Sequence, residues 1–317
     1  MTYYFNSVFI SEKYSLLSSD KYKPIVLNNV DEFINDYYLG EKTIELAESK
    51  YQNIVVSKLL EKNSNIDVII NGDLQNQILS STICASKFNI SNLGVYSACA
   101  SFVEGIVIGS FLCEKDSTVI VSTSSHNLVS EKQFRYPIEY GAVRKNVNTC
   151  TASGAIGIIM NNLRGNIKVE SATIGKVKVT NHKDSNDMGS AMASSCAETL
   201  INHLKDTNRL PSYYDLILTG DLGIYGIELV KKYYKKVSGK SVNNIMDAGS
   251  FFYTEKNIYA GSSGPCVLPL VLFDYILKSK KYKKILIIGT GSLHSVLSVN
   301  LKLPIPSISH AVSLEVK

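Results

Sequence analysis

The chain has 317 residues, of which 45% are hydrophobic, and a formal net charge of +5. This length and composition allow a large buried core, as two domains or as one large α/β unit. The charge slightly favours anionic partners such as carboxylates or acidic lipids, and it is too small to indicate a nucleic-acid-binding protein.

The cysteines and the apolar segments indicate the compartment. Six cysteines occur without a C-x-x-C or any paired spacing, which favours free thiols in a reducing interior over a disulfide framework. The opening segment MTYYFNSVFI has no basic region followed by a long apolar core, so we predict no signal peptide. The longest apolar runs, such as CVLPLVLFDYIL, are about half of a membrane span. We therefore predict a soluble or peripheral protein with no metal and no cofactor.

Short runs rich in Val and Ile alternate with segments of helical period, which predicts an α/β protein with largely buried strands. In the first half, we predict helices over 31–62, 75–88 and 101–115. We predict strands there over 66–72, 92–97, 117–126 and 152–161.

The same order begins again after NNLRGN, residues 161–166. In the second half, we predict strands over 167–179, 214–223, 242–252, 283–292 and 308–316, and helices over 190–207, 225–236 and 262–279. The repeated order indicates an internal duplication with halves at 1–163 and 164–317. A long polar connection, residues 127–150, interrupts the pattern, and such connections usually have a functional or interface role.

Cys99 is the candidate reactive residue. The segment NLGVYSACASFVEGIVIGSFL (92–112) places it where an apolar strand turns into a helix. The unpaired N–H groups and the positive dipole end of a helix N-terminus favour a thiolate, and the small neighbours leave room for a ligand. Alternatively, Cys99 is a structural cysteine in a tightly packed turn.

A strand–Cys–helix unit in the first half of a duplicated α/β chain resembles the thiolase-fold superfamily, which includes the ketoacyl synthases. The resemblance implies a thiolase-like fold of two β-α halves in an α-β-α-β-α arrangement. It also implies an acylated cysteine assisted by a His after a second-half strand and by an Asn or His ahead of a helix. At these positions the chain has LILTGDLG (216–223) and YAGSSGPC (259–266), while the Gly-rich end is kept as GTGSLHS (289–295).

These departures predict a site that keeps the nucleophile and lacks the two bases. A tuned imidazole contributes roughly 10²–10⁴-fold to proton transfer, which a glycine cannot supply. His126 and His294 lie near strand ends, but neither occupies a base position of the superfamily. We therefore interpret Cys99 as a vestigial nucleophile and predict no catalytic residue.

Longer segments resemble one family within this superfamily, stage V sporulation protein AD of endospore-forming bacteria. They are GDLQNQ, TSSHNLVSEKQFRYPIEYG, ATIGKV, DMGSAMA, YDLILTGDLG and HAVSLE. The resemblance implies a non-catalytic protein that binds dipicolinic acid (pyridine-2,6-dicarboxylate), with or without Ca²⁺. It implies a peripheral place in the SpoVA assembly of the spore inner membrane, which moves dipicolinate into the forming spore and out at germination. It further implies a homodimer.

A flat dianion requires N–H donors and hydroxyls in its pocket. The residues that we expect to contact it are Cys99, Ser97, His126, Asp221, Ser262 and Ser292. Asp221 would repel the dianion unless Ca²⁺ or a basic residue lies between them. Arg135 and Arg144, in the long connection, fit equally well as carboxylate clamps and as contacts with a second subunit or a membrane partner.

Two alternatives remain open at this point. The first is a thioester-dependent acyltransferase or condensing enzyme that uses Cys99 as its nucleophile. The second is a pure scaffold with a vestigial pocket, in which Phe134, Arg135 and Tyr136 would be more important than any pocket residue.

Overall fold

The computed structural model describes residues 1–19, 22–134, 143–255 and 258–317. The strands are β1 (Thr2–Tyr4), β2 (Phe9–Ser18), β3 (Glu32–Ile34), β4 (Val68–Gly72), β5 (Ser91–Gly94), β6 (Val119–Ser125), β7 (Cys150–Thr151), β8 (Gly154–Asn161), β9 (Ile167–Thr173), β10 (Lys178–Val179), β11 (Leu216–Thr219), β12 (Ile245–Asp247), β13 (Ser262–Ser263), β14 (Lys284–Ser292) and β15 (Pro306–Val316). The helices are α1 (Ile44–Lys62), α2 (Leu79–Ala85), α3 (Ser101–Cys113), α4 (Asn127–Phe134), α5 (Met188–Asp206), α6 (Gly223–Ser238), α7 (Val267–Val271) and α8 (Val296–Asn300).

The main sheet has the strand order β12-β11-β14-β15-β9-β2-β8-β6-β4-β5. The two halves have the same strand order. When only these ten strands are counted, each half has its first strand innermost, followed outward by its fifth, fourth, second and third strands. The two first strands, β2 and β9, pair antiparallel and join the halves. The strand order therefore repeats, and the boundary between 1–163 and 164–317 remains a prediction.

Three apolar clusters define the layers. The largest lies between the two half-sheets and contains α3 together with the helical segment that begins with α7. A second cluster packs α5 and α6 on the outer face of the second half-sheet. A third packs α1 and α2 on the outer face of the first half-sheet. Because nearly every residue of β6, β8 and β14 is buried, these strands read in the sequence as continuous apolar or small-residue runs.

Three predicted helices are shorter than expected, and one of them, predicted over 75–88, consists of a 3₁₀ turn at Asn76–Ile78 followed by α2. Residues 31–43 are not part of α1, which begins after Thr43. The side chain of Thr43 caps the helix by accepting from the backbone N–H of Leu46. Residues 31–43 include strand β3 instead. Over 262–279, α7 begins only at Val267 and continues as a π-turn over Leu272–Ile276. Element boundaries of this kind depend on caps rather than on apolar period.

The sequence analysis missed β2, the strand that joins the halves. Its sequence FISEKYSLLS carries charges that hide the strand pattern. Lys13, in the middle of β2, forms ion pairs with Asp31 and with the fully buried Asp274. Tertiary partners therefore compensate a charge that obscures the strand in the sequence.

Within the described ranges, none of the helices is both long enough and apolar enough to cross a lipid bilayer.

Candidate functional site

Cys99 lies in a single 3₁₀ turn, Ala98–Ala100, between β5 and the first residue of α3. Ala98 has φ of 50°, a left-handed conformation that costs an L-residue roughly 1–2 kcal/mol. The small side chain of alanine tolerates this sharp turn, and the turn directs Cys99 toward the second half of the molecule. Strained backbone of this kind is concentrated at functional sites.

Glycines of the second half let its backbone approach this turn. A Cβ at Gly291, near the end of β14, would lie 2.0 Å from the carbonyl oxygen of Ser97, so only glycine fits there. Gly264 has φ of +119° and would carry a Cβ 2.6 Å from the Ser125 hydroxyl. The segments that contain Gly264 and Gly291 therefore both approach the Cys99 turn closely.

The Asp221 carboxyl group and the backbone N–H of Gly264 lie beside the sulfur of Cys99, close enough to act on the pKa of its thiol. Burial is the largest effect on the Cys99 thiol and, together with the neighbouring charge of Asp221, it raises its pKa well above the ordinary value. The expectation that the helix N-terminus favours a thiolate here is therefore wrong, because desolvation and the carboxylate outweigh the helix dipole.

Asp221 follows β11 and has φ of 68°, which aspartate tolerates better than most residues. Its side chain is buried, and its Oδ1 has no hydrogen-bond partner among the described residues. Burial, followed by the charge of Asp247, raises the pKa of Asp221 well above its ordinary value. A carboxyl group in this state is favoured as the neutral acid, which can donate a hydrogen bond.

The histidines make their ring hydrogen bonds with groups other than Cys99. All five lie within the described residues. Their partners are Tyr37 and Leu128 for His126, Asp184 for His182, Thr173 and Tyr214 for His203, Ser292 for His294, and Gly175 for His310. The titratable group in contact with the sulfur is thus a carboxyl group. Asp221 fills a position that the sequence comparison with the superfamily treated as an empty base position.

Ser97 and Ser292 lie on segments that meet near Cys99, and their expected contact with a ligand stays a prediction. Ser97 precedes the turn, and its backbone N–H donates to the hydroxyl of Ser101 at 3.0 Å. Ser292 ends β14, and its hydroxyl lies 2.9 Å from Nδ1 of His294. Both hydroxyls belong to the chain segments that converge on the sulfur.

His126 and Ser262 have other surroundings. His126 stacks on Tyr51 with ring centroids 5.8 Å apart, and its Nε2 lies 2.9 Å from the carbonyl oxygen of Tyr37. Ser262 donates to the carbonyl oxygen of Cys150 at 2.9 Å. Their expected contact with a ligand stays a prediction, and these existing hydrogen bonds would compete with it.

Of the two arginines in the long connection, Arg144 lies within the described residues. Arg135 and Tyr136 lie outside the described residues. Arg144 forms an ion pair with Glu131 at 2.7 Å and donates to the sulfur of Cys150 at 3.1 Å. Its guanidinium group is therefore already engaged inside the chain.

A cavity of about 1010 Å³ opens beside the Cys99 turn. Tyr96 and His294 connect the cavity to the Cys99 turn. Burial and the nearby Cys99 thiol raise the pKa of Tyr96, and the ring of His294 contacts the Ser292 hydroxyl. The lining residues are Gln75, Asn76, Gln77, Ile78, Tyr96, Lys132, Gln133, Leu293, His294, Ser295, Val296, Leu297 and Asn300. Most of the polar groups among them are amides, so the wall offers many neutral N–H donors.

The loop that forms one wall is held in a strained shape. Gln77 and Ile78 have φ of 58° and 50°, and a left-handed β-branched residue is a genuine outlier. Buried Asp73 fixes both ends of the loop by accepting from the backbone N–H of Gln75 at 2.7 Å and of Ser81 at 2.8 Å. Such strain is maintained only where the surrounding structure enforces it.

The sequence analysis assigned no role to the amide-rich wall. The signal was present, because GDLQNQ (72–77), EKQF (131–134) and GTGSLHS (289–295) were all quoted for family or superfamily likeness. Only the fold shows that these three segments, distant in the chain, line one cavity.

Comparison with solved structures identifies the fold. The cerulenin-bound form of OleA from Xanthomonas campestris matches with a TM-score of 0.62 and 13% identity, covering 98% of each chain. AbyA1, a tetronic acid condensing enzyme, matches with a TM-score of 0.57 and 11% identity, covering 98% of this chain and 100% of that one. At such identities the likeness concerns the fold alone, and the expected thiolase-like fold is confirmed.

Comparison with sequences identifies the family. The profile of stage V sporulation protein AD matches residues 5–315. Stage V sporulation protein AD of Bacillus subtilis (strain 168) is 35% identical over 270 residues, which cover 82% of this chain and 80% of that protein. The chain therefore belongs to the stage V sporulation protein AD family.

Proposed function

We propose that this sporulation protein binds dipicolinic acid without catalysing a reaction. It would act as a peripheral member of a spore inner-membrane assembly that moves dipicolinate, alone or with Ca²⁺, into the forming spore and out at germination. The observation that carries the proposal is the cavity of about 1010 Å³, whose walls come from three segments typical of the family or its superfamily.

The chemistry of the cavity suits a flat aromatic dianion. Side-chain amides such as those of Gln77 and Asn300 can donate to the carboxylates, and Lys132 supplies a cation at the rim. The rings of Tyr96 and His294 offer flat surfaces for the pyridine. The volume exceeds that of one small diacid, which leaves room for water or Ca²⁺.

Asp221 does not have to repel such a ligand. Because its pKa is raised well above the ordinary value, the neutral acid is favoured and can donate a hydrogen bond to a carboxylate. The same contact keeps Cys99 a neutral thiol, and a neutral thiol is a poor nucleophile. Both effects support binding rather than acyl transfer.

Isothermal titration calorimetry of the purified chain tests the proposal. We expect saturable heat with dipicolinate and much weaker heat with pyridine-2-carboxylate, which lacks the second carboxylate. The absence of saturable heat with dipicolinate, both with and without Ca²⁺, would overturn the proposal.

Lys132→Ala provides the matched test of location. We expect dipicolinate affinity to fall about tenfold, since the variant removes a charge-assisted donor at the cavity rim. Lys58→Ala is the control, because Lys58 is likewise an exposed helical lysine paired with a glutamate, Glu61, and does not line the cavity. An equal change in both variants would place the ligand elsewhere.

A second candidate function is thioester-dependent acyl transfer by Cys99. The contact between the thiol and the Asp221 carboxyl group favours it, because a carboxylate with a raised pKa can act as a general base. Mass spectrometry after incubation with acyl-CoA tests this candidate. A covalent adduct confined to the Cys99 peptide, and lost in Asp221→Ala, would establish it in place of the binding proposal.

We also propose that the protein forms a homodimer through β5. This strand is the edge of the main sheet, and all four of its residues are exposed, including Leu93 at 43%. An unprotected edge strand pairs readily with a second copy. Leu93→Lys should shift sedimentation from dimer to monomer in analytical ultracentrifugation, and a wild-type monomer at high concentration would contradict this part.

A further inference from the structure

A second groove lies on the outer face of the C-terminal half. It has a volume of about 430 Å³ and is formed by β10, α5 and α6, none of which lines the cavity beside Cys99. Its floor is one side of α5, where the small residues Ser194 and Ala197 precede Ile201 by two turns and one turn, respectively. Its walls are Val179 of β10 on one side and Tyr233 and Val237 of α6 on the other.

The walls carry unusually exposed apolar side chains. Val179 is 60% exposed, Val237 is 65% exposed and Tyr233 is 43% exposed. These exposed side chains project from the walls of the groove, so a partner would contact their ends before it reached the floor of the groove. An exposed apolar cluster of this kind, rimmed by polar residues, marks a protein or membrane contact.

The charge around the groove is positive. Its one acidic lining residue, Glu198, is paired with Lys178. Lys205 lies four residues after Ile201 on α5, and Lys232 and Lys236 flank Tyr233 and Val237 on α6, so these lysines border the apolar side chains. All three lysines are exposed and have no ion pair within the described parts of the chain.

Nearby acids do not balance this charge. Asp206, which follows Lys205, accepts from the hydroxyl of Thr2 at 2.9 Å and lies 3.5 Å from the N-terminal amine. Glu228 of α6 pairs with Lys231 on the flank of the helix that faces away from the groove. The groove therefore combines apolar tips with uncompensated lysines, a combination that complements an anionic partner with an apolar interior.

We propose that this face docks the protein on an anionic lipid surface. Val179, Tyr233 and Val237 would enter the headgroup region, where tyrosine is a favoured residue, and the lysines would contact phosphate-bearing headgroups. Each lysine close to such a surface contributes about fivefold to binding. A flat surface suits the protruding tips better than a peptide, which would have to bury the polar Ser194 and Asn202 of the floor. The inference rests on the membrane location in the proposed function and is independent of dipicolinate binding.

Co-sedimentation with vesicles tests the inference. We expect the full chain to sediment with phosphatidylcholine vesicles that contain phosphatidylglycerol and to remain in solution with phosphatidylcholine alone. Lys236→Glu should weaken binding by at least about fivefold, and Val237→Ser should weaken it severalfold. Lys235→Glu is the matched control, because it makes the same charge change one residue away on the opposite flank of α6.

The outcomes separate the possibilities clearly. Equal losses in Lys236→Glu and Lys235→Glu would reduce the effect to net charge and overturn the proposal, as would failure to sediment with anionic vesicles. A photo-crosslinker at position 237 that attaches to a protein instead of lipid in sporulating cells would also overturn it. Thermal melting confirms that each variant is folded. Calorimetry with dipicolinate on the same variants should give unchanged affinity, so failure of lipid docking is distinguishable from failure of ligand binding.

Discussion

Asp221 and Asp247 are neighbouring buried carboxyl groups with different consequences. Asp247 accepts four hydrogen bonds, from the Thr219 hydroxyl at 2.8 Å and from the backbone N–H groups of Leu222, Gly223 and Ser250 at 2.9–3.1 Å. Asp221 contacts the Cys99 thiol and the Gly264 N–H, and its Oδ1 has no hydrogen-bond partner among the described residues. The first carboxyl group ties β11 to α6 and β12, whereas the second keeps an acceptor unused beside the candidate site. The number of donors separates Asp247, which is fully hydrogen-bonded within the fold, from Asp221, which is not.

The largest expected effect comes from removing the structural acid. Asp247→Ala would leave four donors without their acceptor, and we expect the free energy of unfolding to fall by about 3 kcal/mol or more. Urea unfolding followed by circular dichroism measures this change. Asp221→Ala is the control and should cost much less, because fewer hydrogen bonds depend on it. Equal losses in the two variants would remove the distinction between the two acids.

Glu48 extends the comparison to the first half. Its carboxyl group accepts from Ser124 at 3.1 Å and from Gln75 at 3.0 Å, and burial followed by the charge of Asp73 raises its pKa to about 8. The folded protein thus holds this proton more tightly than the unfolded chain, whose value is near 4.5. The stabilising contribution is complete below about pH 4.5 and is lost as the pH rises through about 8.

Glu48→Gln should therefore reduce the loss of stability between pH 5 and pH 8 by about 3 kcal/mol. Unfolding free energies measured at several pH values test this expectation. Other buried groups contribute to the remaining slope: Asp247, whose pKa burial raises to about 6, adds to it, and buried histidines such as His203, whose pKa burial lowers to about 4, oppose it. A slope identical to that of the wild type would show that Glu48 does not titrate in this range.

The contact between Asp221 and Cys99 predicts thiol reactivity. Near pH 8.5, where the Asp221 proton is increasingly lost, Asp221→Asn removes the carboxylate charge beside the thiol and should lower the pKa of Cys99, so alkylation by iodoacetamide at that pH should become about tenfold faster. Peptide mass spectrometry separates Cys99 from the other thiols. The buried Cys196 is the internal control and should label slowly in both proteins. An unchanged rate at Cys99 would mean that burial alone controls its ionisation.

The smallest expected effect concerns ligand affinity. If neutral Asp221 donates to a carboxylate of dipicolinate, affinity should fall severalfold as the pH rises and the proton is lost. Asp221→Asn keeps a donor at that position and should bind with little pH dependence. Calorimetry at pH 6 and pH 8.5 compares the two proteins. A wild-type affinity that is constant or that rises with pH would contradict this role.

Local patterns identified most elements of the fold. Buried strands such as β8 and β14 are nearly continuous apolar or small-residue runs, and α5 and α6 have helical period, so both kinds of element could be predicted. The missed strand β2 contains Lys13, whose charge is compensated by ion pairs with Asp31 and with the buried Asp274. Sequence patterns cannot reveal a compensation that comes from 261 residues away.

The site was predictable in part. Cys99 and its small neighbours stand out in the sequence, and Asp221 was singled out because it followed the strand expected to carry a base. The sequence did not indicate that this carboxyl group contacts the sulfur, and this contact reverses the expected ionisation of Cys99. The sequence indicated the segments of the amide-rich wall only through their likeness to the family or its superfamily. GDLQNQ and GTGSLHS are too far apart in the chain for a local pattern to show that they share a cavity.

The sequence by itself determined the α/β class, the repeated order of elements, the family and the place of Cys99 at the start of a helix. Each of these depends on short-range periodicity or on segments read in order along the chain. Tertiary structure alone decided which acid faces the thiol, which carboxyl groups are fully hydrogen-bonded and which distant segments share a cavity. Burial and long-range contact set pKa values and pocket walls, and neither is encoded in any single segment.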